Sequence, residues 1–174
     1  RRKVRVSADL EYLLSPEDLS HMTPEEINDA IGKKFRFDNF RWQQENGVHV
    51  DEPFRADFLN RVLYKCPACL QEGHMHGEGT QITCTCCGKT YELDEVGYLH
   101  ALEGNTEFAH VPDWYAWERA CVREELLNGS YCMEAPVDIC MAIDTTCIYR
   151  VGQGVLTHTG NGLHLTGCDG KLDY

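Results

Sequence analysis

Two close pairs of cysteines constrain the fold of this chain more than any other feature. Cys66 and Cys69 form one C-x2-C pair, Cys84 and Cys87 form a second, and fourteen residues separate the two pairs. Two tight turns of this kind supply four thiolates at about 2.3 Å from a tetrahedral zinc ion. Gly88 follows the second pair and allows the positive φ that ends such a turn. The spacing therefore predicts a zinc ribbon with one structural zinc; rubredoxin-like iron and no metal are the alternatives.

Other potential ligands lie close to the two pairs. Cys86 can replace a neighbour as a ligand, although the C-x2-C-Gly pattern favours Cys84 and Cys87. His74 and His76 lie in the loop between the pairs, and we expect both to be exposed and unbound because four thiolates already close the site. A closed four-sulfur site leaves no position for water or substrate, so we predict a structural metal whose binding supplies folding free energy.

The remaining cysteines bear on the redox environment. The chain has ten cysteines, and six lie outside the predicted ligand set: Cys86, Cys121, Cys132, Cys140, Cys147 and Cys168. Free cysteine is often buried and packs as a small hydrophobic residue. We therefore predict that the last five of these are reduced and mostly buried in a cytoplasmic protein. A secreted protein with three disulfides is the alternative.

The charge of the chain limits its partners. Among 174 residues, 28 are acidic and 16 are basic, which gives a net charge of −12. Binding to nucleic acid or to anionic membranes needs a basic surface, so we expect neither as a main partner. One basic cluster is present, which we interpret as a solvated chain end in preference to a binding patch: Arg1, Arg2, Lys3 and Arg5.

Hydropathy and the first residue bear on the class of protein. No stretch approaches the roughly 18 apolar residues of a membrane-spanning helix, so we predict no transmembrane segment. The first residues show no signal-peptide pattern. Because the chain opens with Arg1 and not with Met, we expect it to be a piece of a longer protein.

Capping residues predict a largely helical first third. Polar and apolar residues alternate at the start of residues 3–14, which is typical of a strand. Helices are predicted to begin after three capping residues: Ser15, Thr23 and Asp38. Thr23 also has capping-box spacing to Glu26. We expect Gly32 and Gly47 to end the second and third of these helices.

The middle of the chain predicts strands around the cysteines and one long helix. Short strands are predicted at 48–53, 81–83 and 90–93, and a helix at 55–63. The clearest helix is Asp113–Asn128, which we expect Asp113 to cap and Gly129 to end. Its two tryptophans, Trp114 and Trp117, are interpreted as core residues in preference to a ligand-stacking site.

The last forty or so residues are rich in β-branched residues and glycine. Turn signals at 152–154, 160–162 and 169–170 predict successive antiparallel strands at 137–143, 146–151, 154–158 and 163–167. Residues 171–174 are typical of the start of a further strand. We therefore expect this sheet to continue beyond residue 174.

These elements predict an α+β fold with a helical N-terminal segment, a four-cysteine zinc ribbon, one long helix and an antiparallel β-rich C-terminal part. The predicted organisation has four parts: residues 1–63 trailing from a preceding domain, the ribbon at 64–99, a connecting segment with the helix at 100–131, and the β-rich region at 132–174.

Four stretches share their order with a known arrangement. They are residues 35–69, the second C-x2-C-Gly motif at 84–88, residues 101–126 and residues 137–174. This arrangement resembles the C-terminal portion of bacterial, Firmicutes-type proteins of the 1-acylglycerol-3-phosphate acyltransferase family. In that family a catalytic domain comes first, and a zinc-ribbon-like region and a β-rich tail follow it. The resemblance implies that this chain is a non-catalytic accessory region of a phospholipid-synthesis enzyme, membrane-peripheral through its parent protein.

Few residues of the chain suggest catalysis. Walker, G-x-S-x-G and G-x-G-x-x-G motifs are missing from the sequence. His110 and Asp113 can pair an imidazole with a carboxylate, but the predicted helix cap already explains Asp113. His164 and Asp169 have the H-x4-D spacing of the acyltransferase family, which we interpret as accidental because residues five apart on a strand point to opposite faces. A run of carboxylates is interpreted as solvated surface: Glu92, Asp94 and Glu95.

Three hypotheses for function follow. The first is the accessory region, in contact with a preceding acyltransferase domain. The alternative is a free-standing zinc-ribbon module that binds a protein partner. The third is an enzyme that uses His110 or a cleft between the ribbon and the C-terminal sheet.

Overall fold

The computed structural model describes residue 8, residues 10–144 and residues 146–174. The described residues contain four α-helices: Pro16–His21 (α1), Pro24–Lys34 (α2), Asn39–Glu45 (α3) and Val111–Asn128 (α4). The first sheet is antiparallel and has four strands: Met75–Glu78 (β1), Gln81–Cys84 (β2), Thr90–Leu93 (β3) and Leu99–Ala101 (β4). The second sheet is also antiparallel and four-stranded: Cys132–Ala142 (β5), Ile148–Thr159 (β6), Gly162–Gly167 (β7) and Leu172–Asp173 (β8). The predicted mixed α+β class is confirmed.

Side-chain caps begin the first three helices at the predicted residues. Ser15 and Thr23 each form a complete capping box with the residue three positions later. The side chain of Asp38 accepts a hydrogen bond from the Arg41 amide at 2.9 Å. These caps satisfy amide groups that have no partner inside the helix, which explains why the helices begin where they do.

Two predictions for the first third are not met. α2 continues past Gly32 to Lys34, because the amide of Phe35 still donates to the carbonyl of Ile31 at 3.0 Å. The predicted helix end at Gly32 is therefore wrong. The predicted strand at 3–14 falls partly outside the described residues, and its described part forms no strand.

The segment between α3 and the first sheet also departs from the prediction. Where a strand over 48–53 and a helix over 55–63 are predicted, the chain has turns and one 3-10 helix at Leu59–Arg61. The amide of Ala56 donates to the carbonyl of Gly79 at 2.9 Å, so this segment follows the edge of β1. Pairing with the sheet has overridden the local helical preference.

The hydrophobic core lies between the first sheet and α4. Ile82, Tyr91 and Leu99 are fully buried, and Trp114 of α4 is fully buried with them. The rings of Tyr91 and Trp114 meet edge to face, with centroids 5.0 Å apart. The interpretation of Trp114 as a core residue is confirmed. Every buried side chain in the described part of the chain falls within residues 56–118.

Other parts of the chain cover both edges of the first sheet. At β1, the amide of Phe58 donates to the carbonyl of Gly77 at 3.3 Å. A Cβ on Gly77 would lie 2.5 Å from the carbonyl oxygen of Ala56, so this close approach needs glycine. At β4, the amide of Leu99 donates to the carbonyl of Ala109 at 2.8 Å. Covered edges protect a sheet from pairing with other chains.

α4 begins two residues before the predicted start. His110 is the N-cap residue and Pro112 lies in the first turn, so the predicted cap at Asp113 is wrong. Asp113 instead places its carboxylate in the first turn, where the helix dipole favours negative charge. Gly129 ends the helix with a φ of 75°, as predicted. None of the described helices has the length and apolar character needed to cross a membrane.

The second sheet consists of strands that pair in sequence order. The turn predicted at 152–154 is wrong, because β6 continues through these residues and stays paired with β5, with only a shift of register between Ile139 and Cys140. The side chain of Ile139 lies against Gly154 and Gly167, where a Cβ would come within 2.8 Å and 2.5 Å of it. These two glycines therefore make room for a side chain and do not reverse the chain.

The cysteines beyond the first sheet are more exposed than predicted. Cys132, Cys140 and Cys147 are exposed, and Cys121 and Cys168 are half-buried. The prediction of mostly buried thiols is therefore wrong. The physical reason is that no described residue of the second sheet reaches full burial, so a cysteine on these strands has no interior to enter.

Candidate metal centre

The structure brings the four paired cysteines together. The Sγ atoms of Cys66, Cys69, Cys84 and Cys87 all lie within 4.8 Å of one another. Sγ of Cys66 is 3.7 Å from Sγ of Cys87, and Sγ of Cys69 is 3.7 Å from Sγ of Cys84. Metal–sulfur bonds of about 2.3 Å in a tetrahedron place ligand sulfurs roughly 3.8 Å apart. This group can therefore hold a metal ion.

The first knuckle (residues 64–73) presents Cys66 and Cys69. The amide of Cys66 donates to the carbonyl of Gln71 at 2.9 Å, and the amide of Leu70 donates to the carbonyl of Cys66 at 2.8 Å. Leu70 adopts a left-handed backbone with a φ of 63°, a conformation that leucine rarely takes. These bonds turn the chain tightly enough to aim both thiols at one point.

The second knuckle (residues 84–89) has the same design. The amide of Gly88 donates to the carbonyl of Cys84 at 2.8 Å, and the amide of Cys84 donates to the carbonyl of Lys89 at 2.8 Å. Gly88 has a φ of 77°, which is the positive φ predicted at this position. The side chain of Cys84 is fully buried, whereas Cys87 reaches the surface.

Burial and backbone amides have opposite effects on the pKa values of the cysteine thiols. Burial raises the pKa of Cys66 to about 12, although the amides of Ala68 and Cys69 point at its sulfur and favour the thiolate. Burial acts on Cys84 as well, but the amides of Cys87 and Cys86 hold the pKa of Cys84 below its ordinary value. A thiol that is buried among N–H donors gains most from replacing its proton with a metal cation.

The other potential ligands lie outside this group. Cys86, His74 and His76 are exposed, and none of them belongs to a cluster with metal-binding geometry among the described residues. Nε2 of His76 lies 3.4 Å from a carboxylate oxygen of Glu78, at the surface. The exposure predicted for both histidines is confirmed.

His110 has a different carboxylate partner from the predicted one. Its Nε2 lies 2.7 Å from Oδ2 of Asp38, and its Nδ1 lies 3.4 Å from Nε2 of Gln44. Both ring nitrogens are therefore engaged, and neither points at open solvent for proton transfer. The histidine fastens α3 to the start of α4. Asp113, the predicted partner, lies in the first turn of α4.

Asp94, one of the three carboxylates interpreted as solvated surface, has structural contacts. Oδ1 of Asp94 accepts hydrogen bonds from the amides of Val96 and Tyr98, and its Oδ2 lies 2.7 Å from Nε2 of His100. Although burial acts against it, the hydrogen bonds from His100 and these amides hold the pKa of Asp94 below its ordinary value. Asp94 therefore organises the turn between β3 and β4.

His164 also has a partner other than the one in the H-x4-D spacing. Its Nε2 lies 2.6 Å from Oδ1 of Asp173, on the neighbouring strand β8. Asp169 lies in the turn that follows β7, with a left-handed φ of 55°. His164 is therefore paired across the sheet with Asp173 and not with Asp169, the aspartate of the H-x4-D motif.

Sequence reasoning missed one buried carboxylate beside the metal centre. Glu118 is fully buried, and its Oε1 accepts a hydrogen bond from the Lys65 amide at 2.8 Å. The signal was available, because Glu118 lies four residues after Trp114 and therefore on the same face of α4. An acidic residue on the apolar face of a helix indicates a specific contact.

Comparison with models of protein families, with curated proteins and with solved structures found no match to this chain.

Proposed function

We propose that Cys66, Cys69, Cys84 and Cys87 bind one structural zinc ion in a non-catalytic module that binds a protein partner. The observation that carries this proposal is the group of four sulfurs within 4.8 Å. Tetrahedral sites of four thiolates are typical of zinc or of iron. Zinc is preferred because two tight C-x2-C turns are the usual ligands of structural zinc.

A structural role follows from the number of ligands. Four thiolates complete a tetrahedron, so the ion has no position for water or a substrate. His110 forms a partly buried contact with a carboxylate, but both of its ring nitrogens are already in contact with side chains, those of Asp38 and Gln44. Metal binding would instead join the two knuckles and so supply folding free energy.

A protein partner is favoured by the surface of the second sheet. Large apolar side chains are exposed together near the turn between β5 and β6: Met141, Ile143, Ile148 and Tyr149. Exposed apolar groups of this kind mark interaction sites. The net charge of −12 weighs against nucleic acid in this role.

The sequence resemblance supplies one specific partner. We propose that the module accompanies an acyltransferase domain that acts on 1-acylglycerol-3-phosphate, and that this chain contributes no catalytic residue to it. Incubation of the chain alone with acyl-CoA and lysophosphatidate should then give no acyl transfer. Turnover that is abolished by His164→Ala would contradict this proposal.

Elemental analysis of the purified chain tests the metal. We expect one zinc per chain, with Cys84→Ser losing the metal and Cys86→Ser keeping it. Cys86 is the matched control because it is an exposed thiol in the same knuckle and lies outside the four-sulfur group. Bound iron, or a metal lost from the Cys86→Ser protein, would contradict the assignment.

A further inference from the structure

α4 holds Lys65, the residue immediately before the first predicted ligand, at three points. The amide of Lys65 donates to Oε1 of Glu118 at 2.8 Å, and its carbonyl accepts from Nε1 of Trp114 at 3.0 Å. Its ammonium lies 3.1 Å from Glu72 and 3.7 Å from Glu125. The entry to the first knuckle is therefore positioned by side chains of a helix that supplies none of the four cysteines.

Glu118 is the unusual member of this contact. It is fully buried, and its second oxygen, Oε2, has no hydrogen-bond partner among the described residues. An ionised carboxylate in such a place is costly, because one oxygen has lost water without replacing it. A neutral carboxylic acid avoids the buried charge and still accepts the Lys65 hydrogen bond.

Groups around Glu118 do not neutralise it. The titratable groups near Glu118 or the Lys65 ammonium are Tyr64, Lys65 and Glu72 of the first knuckle, and Cys121 and Glu125 of α4. That ammonium already lies between two other carboxylates. Burial therefore dominates and raises the pKa of Glu118 to about 7, although the hydrogen bond from the Lys65 amide favours the ionised form.

We propose that Glu118 is a proton-binding positioning residue that attaches the first knuckle to α4, and that ionisation of Glu118 weakens this attachment. The inference rests on the proposed metal site, since the knuckle presents Cys66 and Cys69 to the ion. In its neutral form Glu118 holds Lys65 without a buried charge. In its ionised form the same contact carries an uncompensated charge into the core.

The direction of the effect follows from proton linkage. Folding raises the pKa of Glu118 from its ordinary 4.5 to about 7, so the folded chain binds more protons than the unfolded chain between these values. Stability contributed by Glu118 therefore falls as the pH rises over this interval, and the full penalty is present above it. The Glu118→Gln protein, which stays neutral, should lack this dependence.

The melting temperature of the full chain between pH 5 and pH 8 tests the proposal. We expect Glu118→Gln to gain about 5 °C relative to the wild type between the two ends of the range. Glu124→Gln is the matched control, because it removes an exposed carboxylate from the same helix. Its melting temperature should follow that of the wild type at every pH.

Two further measurements separate this proposal from the proposed metal site. Carbon-13 NMR should show one side-chain carboxyl that titrates near pH 7 and is missing from the Glu118→Gln spectrum. The rate of zinc release to excess EDTA should rise with pH more steeply in the wild type than in Glu118→Gln. If the chain binds no zinc, the proposed metal site is wrong. The melting temperatures and the carbon-13 NMR titration still test the role of Glu118 in that case.

Three results would overturn the proposal. A difference between Glu118→Gln and the wild type that does not change with pH would show that Glu118 is ionised throughout or is merely structural. A Glu118→Gln protein that does not fold would show that the neutral form cannot hold Lys65. A pH-dependent gain of the same size in Glu124→Gln would show a general charge effect.

Discussion

The two sheets of this molecule have the same number of strands and the same antiparallel order, but they are stabilised in different ways. The first sheet has strands of three or four residues, and it is covered by α4 and by segments along both edges. The second sheet has strands of up to twelve residues, and none of its described residues is fully buried. Strand length and backbone pairing alone therefore do not create an interior.

Two features account for the interior of the first sheet. α4 places Trp114 against Tyr91, and the four paired cysteines bring the two knuckles close together. The second sheet has a smaller internal contact, where Ile139 lies across glycines of its neighbours. The comparison shows that short strands form a core when a helix packs against them and other segments cover both edges of the sheet.

Metal removal gives the largest expected difference between the sheets. Treatment with excess EDTA should abolish amide protection over residues 66–93, because the proposed zinc holds the two knuckles together. Protection over residues 132–167 should change little, since no predicted ligand lies there. Hydrogen exchange read by mass spectrometry measures both regions in one experiment. Equal loss in the two regions would show that they unfold as one unit and would remove the distinction.

Truncation of one apolar side chain in each sheet region is the next test. Trp114→Ala should lower the free energy of unfolding by about 3–5 kcal/mol, because Trp114 is fully buried. Leu163→Ala should change it by less than about 0.5 kcal/mol, because Leu163 is 63% exposed. Urea unfolding followed by circular dichroism measures both variants. A large loss for Leu163→Ala would reveal that another surface covers the second sheet in solution.

The same contrast explains which parts of the fold could be predicted from the sequence. The positions of the knuckles follow from the C-x2-C pairs, and the helix starts at Ser15 and Thr23 follow from capping boxes, because both signals are local. The structure of 55–63 could not be predicted this way. That segment follows the edge of β1, a strand that begins twelve residues later.

Long-range contacts also limit what could be predicted of the candidate site. The positions of the four thiols follow from the spacing of the cysteines in the sequence. The partner of His110 does not follow from any local pattern, because Asp38 lies seventy-two residues away. Glycine was misleading for a related reason: Gly154 accommodates the side chain of Ile139 and does not form a turn. A residue type alone does not say whether its freedom is used for chain reversal or for close packing.

The smallest expected effect comes from one polar contact in each sheet region. The hydroxyl of the buried Tyr91 donates to Glu107, which lies 3.7 Å from the Lys89 ammonium, whereas the pair of His164 and Asp173 is exposed. Tyr91→Phe should cost about 1 kcal/mol at pH 7, because it leaves the Glu107 oxygen without its donor. His164→Ala should cause no measurable change in stability, since exposed pairs contribute little.

The pH dependence of these two variants sharpens the comparison. Burial alone would raise the pKa of Glu107, but the hydrogen bond from Tyr91 and the charge of Lys89 hold it below the ordinary 4.5. Stability from this contact is therefore present above pH 4.5 and is lost as the pH falls through the lower folded-state pKa. The cost of Tyr91→Phe should shrink in acid, as measured by urea unfolding at pH 7 and pH 3.5. If His164→Ala lowered the free energy of unfolding at pH 7 as much as Tyr91→Phe does, the second sheet would shelter its polar contacts as well as the first sheet does. The difference in burial between the two sheets would then not correspond to a difference in the stability of their polar contacts.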